Sequence, residues 1–310
     1  MASPELKTIT ELLRARQEQA PADISFPKSR ALFEQMTAAF PLPENVKSTP
    51  VDAGGIPSEW IAAQRVGDEQ TIYWLQGGGY CSGSVNTHRG LLGRISAASR
   101  ARVLAIDYRL APEDPFAAAV EDAVAGYLWL LSTGVDPAQI VIGGDSAGGG
   151  LTAATLVALK EDGKPLPGAA VCISPWTDLA LTGESLSTKA KADPMITIEG
   201  ITRVRDAYLG DADPTAPLAS PIYADLSGLP PLLIQVGECE VLLSDSTRLA
   251  ERAEADGVDV TLEVWPEMIH VWHFFAAMLP EGQQAIDRIG EWVQQRLGAA
   301  VTASRSVRNN

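Results

Sequence analysis

The chain has 310 residues, of which 46% are hydrophobic, and its mean hydropathy is +0.03. This composition fits one large core or one domain with a cap, and no apolar run approaches the roughly 20 residues that a transmembrane helix needs. The formal charge of −15 at pH 7 and the pI near 4.6 argue against nucleic acids and anionic membranes as partners, because both would be repelled.

The first residues of the chain predict an amphipathic helix rather than a signal peptide. Residues 1–20 contain six charged side chains and lack a continuous apolar region. The three cysteines of the chain, Cys81, Cys172 and Cys239, are odd in number and widely spaced, which indicates neither a disulfide framework nor a metal site. We therefore expect a cytoplasmic protein.

Strands and helices alternate along most of the chain. Apolar runs predict buried strands at residues 71–75, 102–107, 139–143, 168–173, 231–236 and 259–264. Helical length and spacing are found at residues 88–100, 117–133, 148–162, 245–256 and 273–297. Repeated strand–helix units predict an α/β fold with a mainly parallel sheet that is covered on both faces.

The first of these strands ends in a glycine run. Residues 76–80 read Gln-Gly-Gly-Gly-Tyr, between a buried strand and a predicted helix. Consecutive glycines leave the backbone free to turn its N–H groups toward one point. We interpret the N–H groups of Gly78 and Gly79 as two donors of an oxyanion hole.

The strand at 139–143 leads into a GxSxG motif, residues 144–148, and a helical stretch follows. Strand, sharp turn and helix form the context of a nucleophile elbow, in which a side chain in place of either glycine would collide with its neighbours. The pattern predicts that Ser146 is a nucleophile and that Ala147 N–H is the third oxyanion donor, each donor contributing roughly 3 kcal/mol. Asp145 is interpreted as a structural residue that accepts hydrogen bonds from backbone N–H groups.

A serine nucleophile needs a histidine base and an acid that orients the histidine, and in this fold both follow the serine. The segment after the strand at 231–236 presents three carboxylates. Glu240 lies at the predicted loop tip and is our choice for the acid. Glu238 is interpreted as a loop residue, and Asp245, at the start of the next helix, remains a second candidate.

The chain contains three histidines. His88 precedes the serine at a predicted helix start and is interpreted as a capping or surface residue. His270 follows the strand at 259–264 through a short connection, where a base can reach the serine. His273 lies in an apolar run and is expected to be packed within a helix, so His270 is predicted to be the base.

Longer motifs make the chain resemble the bacterial hormone-sensitive-lipase-like esterases, the family IV lipolytic enzymes of the α/β-hydrolase fold. These motifs are DYRLAPE at 107–113 followed by Pro-Phe at 115–116, GDSAGGG at 144–150 and SPWTDL at 174–179. The resemblance runs from about residue 45 to 298. It implies an eight-stranded, mainly parallel sheet with helices on both faces and a helical cap. It also implies a cofactor-free serine carboxylesterase for short- to medium-chain acyl esters, with Ser146, an acid and His270 as its triad.

Two segments outside the alternation of strands and helices resemble the two parts of the family's cap. The expected organisation is cap at 1–45, hydrolase core at 46–177, cap at 178–220, core at 221–298 and a flexible tail at 299–310. A cap over the serine would shape the substrate pocket and exclude water. Walls of this pocket are predicted at Tyr80, Trp176 and Met195, with plain core packing as the alternative for each.

The chain departs from the family pattern at two positions. Gln76 stands where the family's HGGG sequence has histidine, and Glu240 stands where most relatives have aspartate. The family histidine supports the glycine loop by hydrogen bonds, and glutamine also offers a donor and an acceptor. We therefore expect an altered loop or pocket and an active enzyme.

Three alternatives remain open at this point. The same machinery would serve a lactone hydrolase or a deacetylase of a small natural product. A ligand-binding protein without catalysis is the third alternative, because the plant gibberellin receptors resemble this family but lack the triad histidine; His270 argues against it. Relatives often dimerise through the last strand and helix of the core, so the resemblance also suggests a homodimer interface within residues 259–297.

Overall fold

The computed structural model describes residues 2–19 and 24–308, and for residues 298–308 it describes the backbone only. Within these ranges eight strands form one sheet. The strands are β1 (Val46–Asp52), β2 (Pro57–Ala63), β3 (Thr71–Leu75), β4 (Arg102–Ile106), β5 (Ile140–Asp145), β6 (Ala169–Ile173), β7 (Leu232–Gly237) and β8 (Val260–Trp265). Their order across the sheet is β1-β2-β4-β3-β5-β6-β7-β8. The pairs β1–β2 and β2–β4 are antiparallel and the other neighbours are parallel.

Helices follow most of the strands. They are α1 (Pro4–Gln19), α2 (Phe26–Thr37), α3 (Val85–Ser99), α4 (Ala118–Ser132), α5 (Ala147–Glu161), α6 (Ser185–Thr188), α7 (Ile198–Leu209), α8 (Leu243–Ala255) and α9 (Pro280–Arg308). Short 3₁₀ turns span Pro137–Gln139, Pro221–Tyr223 and Trp272–Phe275. None of the helices in the described ranges is both long and apolar enough to cross a membrane.

The sheet is covered on both faces because its strands alternate their side chains. Tyr73 and Leu75 of β3 pack into a core with helices α4, α5 and α8, whereas Ile72 and Trp74 of the same strand pack with α3 and α9. Burying one such large apolar side chain contributes about 1.5–3 kcal/mol. The predicted mainly parallel sheet with helices on both faces is confirmed.

Some predicted boundaries were wrong, for identifiable reasons. Strand β1 was not located, because at the sheet edge it buries one of its seven residues and therefore has no apolar run. Strand β2, which buries three of its seven residues, was not located either. Helix α3 begins three residues earlier than the predicted start at 88. Ser84 and Thr87 form a capping box there, in which each side chain accepts a hydrogen bond from the other residue's N–H group.

The last helix also differs from the prediction of residues 273–297. It begins at Pro280, which lacks an N–H group and disfavours helical backbone in the residue before it. The helix continues to Arg308, through most of the segment predicted as a flexible tail. Residues 309–310 lie outside the described residues, and the flexibility of 299–310 remains a prediction.

The start of helix α5 packs unusually close to the strands, through three glycines. A Cβ atom at Gly148 would lie 2.0 Å from Leu75 O, and one at Gly150 would lie 1.9 Å from Trp176 O. Real Cβ atoms essentially never come within 3.0 Å of such atoms. The glycine run therefore lets α5 begin directly against the ends of β3 and of the segment after β6.

Two segments do not follow the alternation of strands and helices: one contains α1 and α2, and the other contains α6 and α7. In the first segment, Leu6 and Ile9 of α1 pack against Ile269 and Trp272, in the connection after β8. Contacts also link α2 to the core and α7 to α2. Arg30 of α2 donates to Glu113 and to the carbonyl oxygens of Cys81 and Ala111, while Arg203 of α7 donates to Ile24 O and lies over the Phe26 ring.

Replacing Gly148 with alanine should destabilise the whole fold. The new methyl group would meet Leu75 O, a backbone atom that cannot rotate away. We expect the free energy of unfolding to fall by about 1–3 kcal/mol or more, measured by urea unfolding. Gly67→Ala is the matched control, because its Cβ would meet nothing within 4 Å and its backbone is not left-handed. Equal stability of the two variants would contradict the close approach of α5.

Candidate active site

Ser146 lies at the tip of a sharp turn between β5 and α5. Its backbone has φ +55° and ψ −122°, a conformation that is strained for a residue with a side chain. The turn is held from below, because Ser146 N–H donates to Ile173 O at 2.8 Å and Ser146 O accepts from Trp176 N–H at 2.9 Å. This backbone presents the Ser146 side chain to a cavity above the sheet.

The structure brings Ser146, His270 and Glu240 into one hydrogen-bonded row. His270 Nε2 lies 3.0 Å from Ser146 Oγ, and His270 Nδ1 lies 2.7 Å from Glu240 Oε2. His270 is 5% exposed and Glu240 is fully buried. Since Glu240 can only accept when ionised, Nδ1 carries the proton and Nε2 is free to accept from the serine.

Glu240 is fixed by two further hydrogen bonds to its other oxygen. Oε1 accepts from Gly237 N–H at 2.6 Å and from Ser174 Oγ at 2.9 Å. Ser174 Oγ in turn accepts from Val271 N–H at 3.3 Å, next to His270. Ser174 was not singled out from the sequence, although it begins the 174–179 motif.

The pKa of His270 results from two opposing effects. Burial alone would lower it, because an imidazolium ion loses hydration in the interior. The charge of Glu240 and its hydrogen bond to Nδ1 act in the opposite direction and hold the pKa of His270 above its usual value of 6.5. The arrangement therefore makes His270 a stronger base.

The other two carboxylates considered for the acid are placed elsewhere. Glu238 accepts from Glu267 N–H at 3.1 Å near the surface. Asp245 lies in the first turn of α8, fully enclosed, and accepts from the N–H groups of Thr177 and Asp178 at 2.8 and 2.9 Å. Neither carboxylate is hydrogen-bonded to His270.

The remaining histidines are both completely buried. His273 packs as expected, but in a 3₁₀ turn, where its Nε2 lies 2.7 Å from Gln235 Oε1 and burial lowers its pKa to about 3. The interpretation of His88 as a capping or surface residue was wrong. Its ring lies beneath the glycine loop, with Nε2 3.1 Å from Asp145 Oδ1 and 3.2 Å from Gly77 N. Nothing in the local sequence pattern distinguishes such a position from a helix surface.

Gly78 and Gly79 line the same cavity as Ser146, with φ angles of +126° and +64°. A Cβ atom at Gly78 would lie 2.1 Å from Ser82 O, so only glycine fits there. No protein acceptor for the N–H groups of Gly78 and Gly79 is found among the described residues. Ala147 is the first residue of α5, where the N–H group has no partner within the helix.

The Gln76 side chain, at the start of the glycine loop, is buried. Its Oε1 has no hydrogen-bond partner among the described residues. Its backbone oxygen accepts from Tyr108 Oη at 2.7 Å. Gly77 N–H faces two acceptors, Asp145 Oδ1 and His88 Nε2, each at 3.2 Å, in agreement with a structural role for Asp145.

A cavity of about 420 Å³ opens above Ser146. Trp176 and Met195 line it, as do side chains from α2 and α7, including Phe33 and Val204. Tyr80 does not. Its φ of +60° turns the ring away from the cavity and onto Tyr208, with ring centres 3.8 Å apart.

The site has no features of a metal centre in the part of the chain that the structure describes. No three His, Cys, Asp or Glu side chains come together there in a way that could hold an ion. The arrangement instead provides an activated hydroxyl, a general base with its orienting carboxylate and free N–H donors beside them.

A family model described as alpha/beta hydrolase fold matches residues 72–274. An acetyl-hydrolase from Streptomyces hygroscopicus is 43% identical over 303 residues, which cover 96% of this chain and 99% of that protein. An esterase from Acinetobacter venetianus is 37% identical over 264 residues, which cover 85% and 87%.

Solved structures are similar over almost the whole chain. The crystal structure of an esterase from the bacterial hormone-sensitive lipase family has a TM-score of 0.93 and 50% sequence identity, and the match covers 96% of this chain and 99% of that one. A crystal of EstE5 soaked with p-nitrophenyl butyrate has a TM-score of 0.92 and 46% identity, with 96% and 100% covered.

Asp245 should make the stability of the protein depend on pH. Burial raises the pKa of this carboxyl from 3.8 to about 7, against the opposing effect of its hydrogen bonds from Thr177 and Asp178. The folded state therefore holds the proton more tightly than the unfolded state. This contribution to stability is complete below about pH 4 and is lost as the pH rises through about 7.

Asp245→Asn keeps an acceptor oxygen but cannot ionise. We expect the free energy of unfolding of the wild type to fall relative to this variant between about pH 4 and pH 7, and the difference to level off at higher pH. Urea unfolding of both proteins across this range measures the difference. A difference that does not change with pH would show that the Asp245 carboxyl does not titrate there.

Proposed function

Because the chain belongs to the bacterial hormone-sensitive-lipase family of α/β hydrolases, we propose that it is a serine carboxylesterase that hydrolyses short- to medium-chain acyl esters. The observation that carries the proposal is the row from Ser146 Oγ to His270 at 3.0 Å and from His270 to Glu240 at 2.7 Å. A hydroxyl becomes a competent nucleophile when a base and an orienting acid are aligned in this way.

The reaction runs through an acyl-enzyme intermediate. Ser146 Oγ attacks the acyl carbonyl carbon while His270 Nε2 takes the serine proton. The tetrahedral intermediate collapses, the bond to the alcohol oxygen breaks, and His270 returns its proton to the leaving alcohol. Water then attacks the acyl group with His270 again as base, and the carboxylic acid leaves as Ser146 regains its proton.

The negative charge of each tetrahedral intermediate needs donors that are already in place. The proposal assigns this role to the N–H groups of Gly78, Gly79 and Ala147. It is supported by the N–H groups of the two glycines, which have no protein acceptor in the described part of the chain and lie beside Ser146 on the cavity wall. Fixed donors stabilise the transition state without reorganisation during the reaction.

The cavity favours small neutral esters. Its volume of about 420 Å³ is near the lower end of the 300–1,000 Å³ typical of ligand pockets. Much of the wall is apolar, with Trp176 and Met195 among its residues. We propose that these two side chains contact the substrate.

One alternative has a specific observation in its favour. A relative at 43% identity and another at 33% are named acetyl-hydrolases, which points to an acetyl group as the acyl part and allows a small-molecule deacetylase with the same triad. A lactone hydrolase would also use this machinery. A ligand-binding protein without catalysis is disfavoured by the direct contact of His270 with Ser146.

We further propose that residues 1–45 and 178–220 act together as a cap over this cavity. Side chains from both segments line it, including Phe33 and Val204. The link from Arg203 to Ile24 and Phe26 supports a joint unit, and Arg30 ties α2 to the core. A cap of this kind would exclude water while the acyl group reacts.

The cellular setting is also a proposal. Cys81, Cys172 and Cys239 are all free thiols, as expected in a reducing compartment, and we propose a cytoplasmic enzyme. We propose in addition a homodimer that uses the end of the core at 259–297. The half-exposed strand β8, with Val264 41% exposed at the sheet edge, supports this choice.

The proposed triad predicts a clear order of activities toward a chain-length series of p-nitrophenyl esters. Ser146→Ala and His270→Ala should lower kcat by roughly 10⁴-fold or more, because each removes a member of one unit. Asp245→Asn is the control and should keep kcat within a few-fold of the wild type. If a folded wild type turned over no ester of the series, the carboxylesterase proposal would be wrong.

Glu240→Gln and Glu240→Asp test the acid more sharply. Gly237 N–H and Ser174 Oγ hold the carbonyl oxygen of a glutamine at the Oε1 position, so its NH₂ group would face His270 Nδ1. His270 would then carry its proton on Nε2 and could not accept one from Ser146. We expect a loss of about 10⁴-fold in kcat for Glu240→Gln and a clearly smaller loss for Glu240→Asp.

The pH profile of kcat/KM provides an independent check. His270 must be neutral to act as base, and Glu240 holds its pKa above 6.5. Activity should therefore rise with pH through an apparent pKa above 6.5 and be lost below it. Asp245 has a pKa of about 7, so Asp245→Asn must leave the profile unchanged. If Asp245→Asn shifted the pH profile, the titration seen in kcat/KM would belong to Asp245 and the assignment to His270 would be wrong.

A further inference from the structure

The glycine loop is supported from below by a buried polar cluster of Trp74, Gly77, His88 and Asp145. Asp145, the residue before Ser146, is 2% exposed and His88 is 0% exposed. The carboxylate faces three groups: Trp74 Nε1 at 3.2 Å, Gly77 N at 3.2 Å and His88 Nε2 at 3.1 Å. A buried carboxylate needs such donors, because it has lost its hydration.

Both ring nitrogens of His88 are engaged within this cluster. Its Nε2 lies 3.1 Å from Asp145 Oδ1, 3.2 Å from Asp145 Oδ2 and 3.2 Å from Gly77 N. On the other side of the ring, Nδ1 lies 2.7 Å from Thr87 Oγ1 and 3.1 Å from Ser84 O. His88 therefore links the start of helix α3 to the residue beside the nucleophile.

The position of Gly77 depends on this carboxylate. A Cβ atom at Gly77 would lie 2.3 Å from Asp145 Oδ2, so the backbone passes directly over the carboxylate. Gly77 is joined by one peptide unit to Gly78, whose N–H group is a proposed oxyanion donor. Rotation of the Asp145 side chain away from Gly77 would remove this acceptor from the Gly77 N–H group, which lies next to the proposed oxyanion donors.

The rings that line the catalytic cavity also pack on His88. Phe274 lies 5.0 Å from the His88 ring and Phe33 of α2 lies 6.2 Å from it, both edge-on. Gln76, which precedes Gly77, does not brace the loop through its side-chain Oε1, because that atom has no partner among the described residues. The imidazole of His88, in contrast, contacts helix α3, the elbow and the glycine loop.

We propose that His88 is a positioning residue of the oxyanion hole. Its Nε2 contacts both the Asp145 carboxylate and Gly77 N, and together His88 and Asp145 hold Gly77 so that the following N–H groups point at the developing oxyanion. This inference rests on the proposed ester hydrolysis. It goes beyond that function by assigning a role to a histidine that touches neither Ser146 nor the substrate cavity.

His88→Gln and His88→Met form a matched pair of tests. Glutamine and methionine have nearly the same length, but only glutamine offers an amide that can hydrogen-bond with Asp145 or Gly77 N–H from the position of Nε2. We expect His88→Met to lower kcat for p-nitrophenyl butyrate by about 10- to 100-fold with KM within about two-fold of the wild type. His88→Gln should restore kcat to within a few-fold.

A second measurement separates positioning from general damage to the fold. An alkyl trifluoromethyl ketone forms a hemiketal with Ser146, and its oxyanion occupies the hole. In His88→Met its inhibition constant should rise by the same factor by which kcat/KM falls. The inhibition constant of the matching alcohol, which forms no oxyanion, should stay constant. Both constants are measurable on the folded fraction even if the variant is less stable.

The outcomes are distinct from those for the proposed function. Loss of activity in Ser146→Ala together with unchanged kcat in His88→Met would leave the esterase intact and overturn the role of His88. Equal losses in the glutamine and methionine variants, or equal weakening of ketone and alcohol binding, would also overturn it, because either result would mean that His88 only fills space. A wild type without esterase activity would remove both proposals.

Discussion

The strained backbone of Ser146 is the feature around which the rest of the protein is arranged. For a residue other than glycine, a backbone conformation of φ +55° and ψ −122° costs on the order of 1–3 kcal/mol, so it persists only where the surrounding structure imposes it. The surroundings here are the end of β5, the first turn of α5 and the hydrogen bonds to Ile173 and Trp176. The absence of side chains at Gly144 and Gly148 lets these parts meet, since a Cβ atom at Gly144 would lie 2.2 Å from Gly148 O. Close packing of backbone against backbone is therefore a precondition for presenting Ser146 to the cavity.

Glu240, Asp145 and Asp245 are three of the buried carboxylates of the protein, and each is satisfied in a different way. Glu240 is paired with His270. Asp145 accepts from an indole N–H group and a backbone N–H group, and Asp245 accepts from two backbone N–H groups. Only the pairing of Glu240 places a titratable base next to Ser146. The other two hold the segments on either side of it, so the same kind of group does chemistry in one place and supports loops in the others.

Patterns along the sequence were sufficient for the parts of the fold that are buried and continuous. The parallel strands and the elbow at Ser146 were predicted because apolar runs and glycine spacing are local properties. The orientation of side chains was not predictable, because it depends on backbone angles and on partners far along the chain. Tyr80 turns away from the cavity at φ +60°, and His88 meets Asp145 across 57 residues. Glu240 and Asp245 lie five residues apart, and only the start of helix α8 separates their environments.

The packing of α1 has a consequence for the order in which the protein is assembled. Leu6 and Ile9 are buried against Ile269 and Trp272, beside His270, and Ser3 donates to Glu281 across 278 residues of sequence. During synthesis at about 5–20 residues per second, helix α1 must wait tens of seconds before its partners leave the ribosome. Its apolar face is exposed for that time, and such long-range contacts form late because closing a long loop is entropically costly. The site around His270 is therefore among the last parts of the molecule to be completed during translation.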